Sequence, residues 1–171
     1  MRLRKTSRGA CGLEFTLVGI PLIFVLIGTF EMCRGMWQYH TLAYAVKEGS
    51  RYAVVHGQGC SIPPNTCNVT ISQVARMIQT AGVGLPANSL TLTFTSSGGA
   101  ATTCSLPSCV SDYAVAAWPP ATANAPGQVI EISGVYQFHS AMAMFWPGNQ
   151  GSSGSPAIVN LAADARESMQ F

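Results

Sequence analysis

Charge is what this chain has least of. Only 9% of its 171 residues are Asp, Glu, Lys or Arg, against about 25% in an ordinary soluble domain. That scarcity excludes a disordered acidic or basic tail and does not describe the surface of a typical cytosolic enzyme. Histidine is also thin: His40, His56 and His139 are scattered, with no acid at a metal-ligand spacing. No Walker-type loop, G-x-S-x-G turn or paired-carboxylate constellation occurs. Catalysis would have to come from side chains without recognisable partners, so the chain reads as non-enzymatic and free of cofactors.

The few charges are unevenly placed. Four of the nine bases, Arg2, Arg4, Lys5 and Arg8, fall in residues 1–9 without an acid. Over the remaining residues the other five bases are outnumbered by seven acids. The basic excess is therefore a terminal block and not a surface for nucleic acid.

What the chain has in quantity is apolar sequence: 48% of residues are hydrophobic and the mean hydropathy is +0.27. From Phe15 to Phe30 runs an uncharged stretch, FTLVGIPLIFVLIGTF. As a helix it rises about 24 Å, and adding Leu13, Met32 and Cys33 brings it close to the roughly 20 residues that span a bilayer. Glu14 and Glu31 fall at or near its ends. The basic block before it places the N-terminus in the cytoplasm and everything after about residue 34 outside.

Three readings compete for this segment. A cleaved signal peptide would have a shorter apolar core and a small-x-small site, which Gly28 to Cys33 does not offer. A plain signal anchor leaves Glu14 unexplained, because an acid just inside an apolar helix is costly. The third reading takes the boundary as Gly9-Ala10-Cys11-Gly12-Leu13-Glu14-Phe15: glycine, four residues, glutamate, an aromatic. With its basic leader and apolar helix it resembles the type IV prepilin processing site, in the short-leader form of Flp/Tad pilins. Pro21 early in the helix, and Ala45-Val46-Lys47-Glu48-Gly49-Ser50-Arg51-Tyr52-Ala53 beyond it, extend the likeness. Over residues 8–56 the chain resembles the TadE-like family of pilus assembly proteins, minor pilins or pseudopilins of the Tad system. Cys11 stands where small aliphatic residues are more usual.

The resemblance implies a function. A prepilin peptidase would cleave between Gly9 and Ala10, removing the leader charge. Glu14, with Phe15 beside it, would then meet the new amino terminus of a neighbouring subunit during assembly. Pro21, lacking an amide, would kink the membrane part. The implied partners are the membrane, the peptidase and other Tad pilus subunits and pseudopilins. The implied location is the bacterial inner membrane, single-pass, with a periplasmic C-terminal domain and possible incorporation into an adhesive pilus. The competing function class is a signal-anchored periplasmic binding or receptor module.

Residues 31–56 still read as helix, with Met36, His40, Ala43 and Lys47 on one stripe. Trp37 and Tyr39 suit the outer lipid–water interface. Glu48 and Arg51 are spaced for a surface pair. Gly35 and Gly49 read as tolerable interruptions. Further on, Gly57–Cys67 is punctuation, and Asn68–Ala81 is a short helix burying Val74, Met77, Ile78 and Ala81. The spelling Asn68-Val69-Thr70 is read as a helix start rather than a glycosylation site. Ser89–Thr95 alternates as a half-buried strand, Ser96–Pro126 reads as a long loop, and Gly127–Phe138 is the strongest strand. Ala141–Trp146 is apolar and would cap the sheet, before a Gly/Ser loop over Pro147–Pro156. Ile158–Met169 fits helix or strand, and the family pattern favours a strand.

Of the six cysteines, Cys60, Cys67, Cys104 and Cys109 lie in the oxidising compartment and allow three connectivities. Local pairing, Cys60 with Cys67 and Cys104 with Cys109, is preferred because it staples short loops. The C-x-x-C rhythm of a zinc site is missing, and no metal is expected. Cys11 and Cys33, at the membrane edges, are expected to stay unpaired within the chain. The fold expected is α+β: a long N-terminal helix with a transmembrane part, then a small antiparallel sheet with a short packed helix. Its divisions are a cytoplasmic leader (1–9), the extended helix (10–56) and a periplasmic domain (57–171).

Overall fold

The structure, a computed structural model, describes residues 8–56, 69–140 and 158–170. The segments read as punctuation over Gly57–Cys67, as an apolar cap over Ala141–Trp146 and as a loop over Pro147–Pro156 lie outside the described residues. The chain divides into two compact units. The first holds residues 8–35 and Ser140 among the described residues, and the second holds 36–56, 69–139 and 158–170.

One helix, α1 (Arg8–Val54), supplies all the regular structure described in the first unit. From Leu13 to Leu26 its large apolar side chains stand exposed on every side. Helix polarity here is satisfied internally. Thr16 and Thr29 donate their hydroxyls back to the carbonyls of Leu13 (3.0 Å) and Val25 (2.8 Å), as residues in an apolar medium must. The helix runs through Pro21. It contains a segment long and apolar enough to cross a membrane.

The second unit is an α+β layer. It contains α2 (Ile71–Ala81), β1 (Leu90–Ser96), β2 (Thr102–Ser105), α3 (Leu106–Asp112), β3 (Val129–His139) and β4 (Ile158–Ser168). The four strands form an antiparallel sheet in the order β2-β1-β3-β4. Alternation places Leu90, Leu92 and Phe94 of β1 and Ile130, Ile132 and Tyr136 of β3 on the buried face. The other face carries hydroxyls: Thr93 opposes both Thr103 and Ser133, and the two threonine hydroxyls lie 3.0 Å apart. The C-terminal segment, open to either reading in the sequence, is a strand paired along the whole of β3. Its alanines fit either state; partnership with β3 decides it.

The outer part of α1 lies across the buried face of the sheet. Leu42, Ala45, Val46, Ser50, Ala53 and Val54 are buried at the i, i+3, i+4 spacing of one helix face. The stripe of Met36, His40, Ala43 and Lys47 is a different face of the helix. Met36, His40 and Lys47 are exposed and Ala43 is only partly buried. The buried face mixes Leu42, Val46 and Val54 with Ala45, Ser50 and Ala53, and hydropathy alone ranks these small residues low. Gly134 explains the fit: a Cβ there would stand 2.9 Å from Val46 and 3.1 Å from Leu42, so its absence lets the strand and helix close.

Helix α2 begins at Thr70, whose hydroxyl accepts from the Gln73 amide (3.3 Å) while the Gln73 side chain accepts from the Thr70 amide (3.0 Å). This capping box meets two amides that a helix start otherwise leaves open. Val74 and Ile78 are buried as expected, together with Ile71 and Ala75, whereas Met77 and Ala81 are only half-buried.

The stretch Ser96–Pro126, expected to be a loop, contains β2 and α3. Ser105 ends the strand and caps the helix, its hydroxyl accepting from the Ser108 amide at 3.4 Å. Pro107 sits in the first turn of α3, where its missing amide costs nothing. Each element is short, so neither shows a period in sequence. Order comes from distant partners: Ser72 donates to the Val110 carbonyl (2.7 Å), Ile71 to Ala116 (3.0 Å) and Trp118 to Val69 (2.9 Å).

Candidate functional site

The candidate site is the N-terminal stretch of α1 with the glutamate at its start. Gly9 and Ala10 lie in the first turn of this helix, whose leading amides have no intrahelical acceptors. Glu14 and Phe15 follow on the exposed helix surface, Phe15 with 77% of its surface open. Gly12 has open space around it, and Gly19 meets only Phe15.

The two acids of the apolar segment differ. Glu31 is buried and pairs with Arg34 at 3.6 Å, so its charge is met within one turn. Glu14 has no ion-pair or hydrogen-bond partner among the described residues. An acid left unmet inside an apolar helix is the feature that most demands a partner.

Beyond this stretch, Ala45 to Ala53 separates into two faces. Glu48 and Arg51 point outward and lie 3.8 Å apart, a surface pair of small energetic weight. Tyr52 is half-buried and packs on His56, ring centroids 4.5 Å apart, and the His56 Nδ1 lies 2.7 Å from the Tyr52 carbonyl oxygen. Gly49 faces α2. A Cβ on it would touch Val74 at 3.5 Å but fall 2.5 Å from Ile78 Cγ1, closer than real side chains approach. Sequence reading treated Gly49 as a tolerated interruption; its place between buried small residues was the available sign of close helix packing. Gly134, alone within a strand pattern, carried the same kind of sign.

Cys104 and Cys109 are joined by a disulfide with Cα atoms 5.4 Å apart, tying the end of β2 to α3. Cys60 and Cys67 lie outside the described residues. Cys33 is free and exposed.

Two clefts lie on the second unit. One, about 300 Å³, is lined by Ile71, Tyr113, Trp118, Pro120 and hydroxyl residues; Tyr113 is its sole titratable group. The other, about 150 Å³, holds Glu131 and Arg166 beside Ser97. The Ser97 hydroxyl donates to the Val129 carbonyl at 2.9 Å and accepts from the Val129 amide at 3.0 Å. No group of three or more metal-ligating side chains occurs among the described residues.

Residues 9–51 match the family model described as TadE-like protein. The match begins at the glycine of the processing pattern and ends at Arg51, so it covers the apolar helix and most of the segment that packs on the sheet. It agrees with the resemblance read from the same residues, and it associates the chain with Tad pili. No curated protein and no solved structure matches the chain.

Proposed function

We propose that the chain is a minor pilin or pseudopilin that takes part in assembly of a Tad (Flp-type) type IV pilus. In this reading residues 13–33 cross the inner membrane with the N-terminus in the cytoplasm and the sheet domain in the periplasm. A prepilin peptidase cleaves after Gly9. The exposed apolar stretch of α1 then associates with the corresponding helices of other pilus subunits. Glu14 sets the register by meeting the new amino group of a neighbour's first residue.

The observation that carries this reading is the unmet carboxylate of Glu14 at the start of an apolar helix, beside a Glu31 that is met by Arg34. A signal anchor has no use for such an acid. A subunit that pairs with a second chain has one, because the charge is compensated only on assembly.

The test is Glu14→Gln. Size and hydrogen bonding survive, but the neighbour's ammonium is left uncompensated, at about 3–5 kcal/mol for a buried pair. The expected outcome is a protein that is inserted and cleaved but does not support pili, scored by pilus counts beside an immunoblot for the mature form. Normal piliation by Glu14→Gln would remove the proposed role and favour a receptor or binding module held by a plain anchor.

A further inference from the structure

The larger cleft, about 300 Å³, lies where the end of β1, the start of α2 and the chain after α3 meet. Its walls include Ile71, Tyr113, Trp118 and Pro120. Trp118 is fixed there on two sides. Its amide donates to the Val69 carbonyl at 2.9 Å, and its ring packs edge to face on Phe94 with centroids 5.1 Å apart. No charged side chain lines the cleft among the described residues.

The polar groups of the cleft are unmet. Ser96 follows Phe94 on the buried face of β1 and is only 6% exposed, yet its hydroxyl has no hydrogen-bond partner among the described residues. The same holds for the indole N–H of Trp118, a residue 4% exposed, and for the Tyr113 hydroxyl. Groups of this kind usually find a partner when buried, because leaving one unpaired is costly. The backbone keeps the Ser96 hydroxyl open to the cleft. A Cβ on Gly99 would fall 2.5 Å from Ser96 Oγ and 3.6 Å from Pro120, so any other residue in that turn would press on the hydroxyl and narrow the space.

The chemistry of these groups selects a class of ligand. An ion would leave water without a counter-charge to meet it. An alkyl chain would leave Ser96 and Trp118 as unpaired as before. A ligand with an apolar face and neutral oxygens round its rim satisfies both walls and polar groups, and a pyranose ring is built in that way. The volume is at the lower end of small-molecule sites, about 300–1,000 Å³, which suits one ring.

We propose that this cleft binds an uncharged pyranose, its face against the aromatic side chains and its oxygens meeting Ser96 Oγ, the Trp118 indole N–H and the Tyr113 hydroxyl. The site lies wholly within the sheet domain. It adds recognition of a sugar to the role proposed above and depends neither on cleavage at Gly9 nor on residues 13–33 crossing a membrane.

The test uses the full chain in lipid nanodiscs free of sugar-based detergent, with isotope-labelled tryptophan read by nuclear magnetic resonance. The indole signal absent from Trp118→Phe identifies Trp118. Methyl α-D-glucopyranoside, methyl β-D-galactopyranoside and N-acetyl-D-glucosamine are titrated in turn. The expected result is a saturating shift of the Trp118 signal by at least one of them, with a Kd of about 1 mM, usual for a ligand of this size. Ser96→Ala and Tyr113→Phe should each weaken binding about three- to tenfold. Neither removes a hydrogen bond among the described residues, so the melting temperature should hold and the weakening is read from folded protein. Failure of every sugar to move the Trp118 signal would overturn the site. An equal response to glucuronate would overturn the uncharged class. A response to tetraproline without one to the sugars would make the cleft a peptide site and overturn the proposal. A sugar shift unchanged in both Ser96→Ala and Tyr113→Phe would put the binding elsewhere and overturn it as well.

Discussion

Residues 13–32 and 42–54 belong to the same helix, and both are rich in apolar side chains. The first stretch distributes them all round the axis and leaves them open. The second confines its buried residues to one face and makes that face from Ala45, Gly49, Ser50 and Ala53, framed by Leu42 and Val46. Hydrophobicity is therefore not what commits a helix to its own domain. Small residues on one side do that, because they let the sheet and α2 approach within contact distance. A stretch that is bulky on every side has no domain surface to fit and is left for lipid or for other chains.

The sharpest way to break this comparison is to shorten one leucine in each stretch. Leu42→Ala opens a cavity where the side chain is wholly buried and should cost the domain about 2–5 kcal/mol. Leu22→Ala should leave domain stability within about 0.5 kcal/mol. Unfolding in detergent, followed by near-ultraviolet dichroism of the buried Trp118, checks both; equal losses would mean that the two stretches share one core.

Next in size is the glycine pair. Gly49→Val drives a side chain into Ile78 and should cost about 1–3 kcal/mol, whereas Gly12→Val enters open space and should leave the domain melting point unchanged. A stable Gly49→Val domain would show that α1 and α2 can separate without loss.

Reduction of Cys104–Cys109 comes third. The bridge spans five positions, and closing so short a loop is worth about 2 kcal/mol. The reduced protein should melt at a lower temperature, with no change at the N-terminal stretch of α1. The smallest effect belongs to the outward pair. Glu48→Gln should change stability by at most about 0.5 kcal/mol, because both side chains are well exposed. A larger loss in the isolated protein would mean that this pair supports the fold.

The same contrast explains what could be read from the sequence. Strands β1 and β3 declared themselves through alternation, Leu90, Leu92 and Phe94 against threonines and Ile130 and Ile132 against Glu131 and Ser133. Helix α2 was expected from Asn68, and it begins at Ile71 behind the Thr70 cap. Helix α3 and strand β2 stayed hidden because their order depends on Val110 and Ala116 meeting residues far away in the chain. The buried face of α1 was not legible, because the alanines and Gly49 that make much of its contact stand out neither in hydropathy nor in charge. At the candidate site, Gly9, Ala10, Glu14 and Phe15 were legible as a local pattern. The contrast between unmet Glu14 and paired Glu31 needed the structure.

In the proposed function, removal of the basic leader prepares the N-terminal stretch of α1 for other chains. Mass spectrometry of the protein from its native host, grown under piliating conditions, tests this most directly. The expected product is a chain beginning at Ala10, and Gly9→Val should abolish it by obstructing the peptidase's approach to the bond. Recovery of the intact chain beginning at Met1 from piliated cells would contradict it.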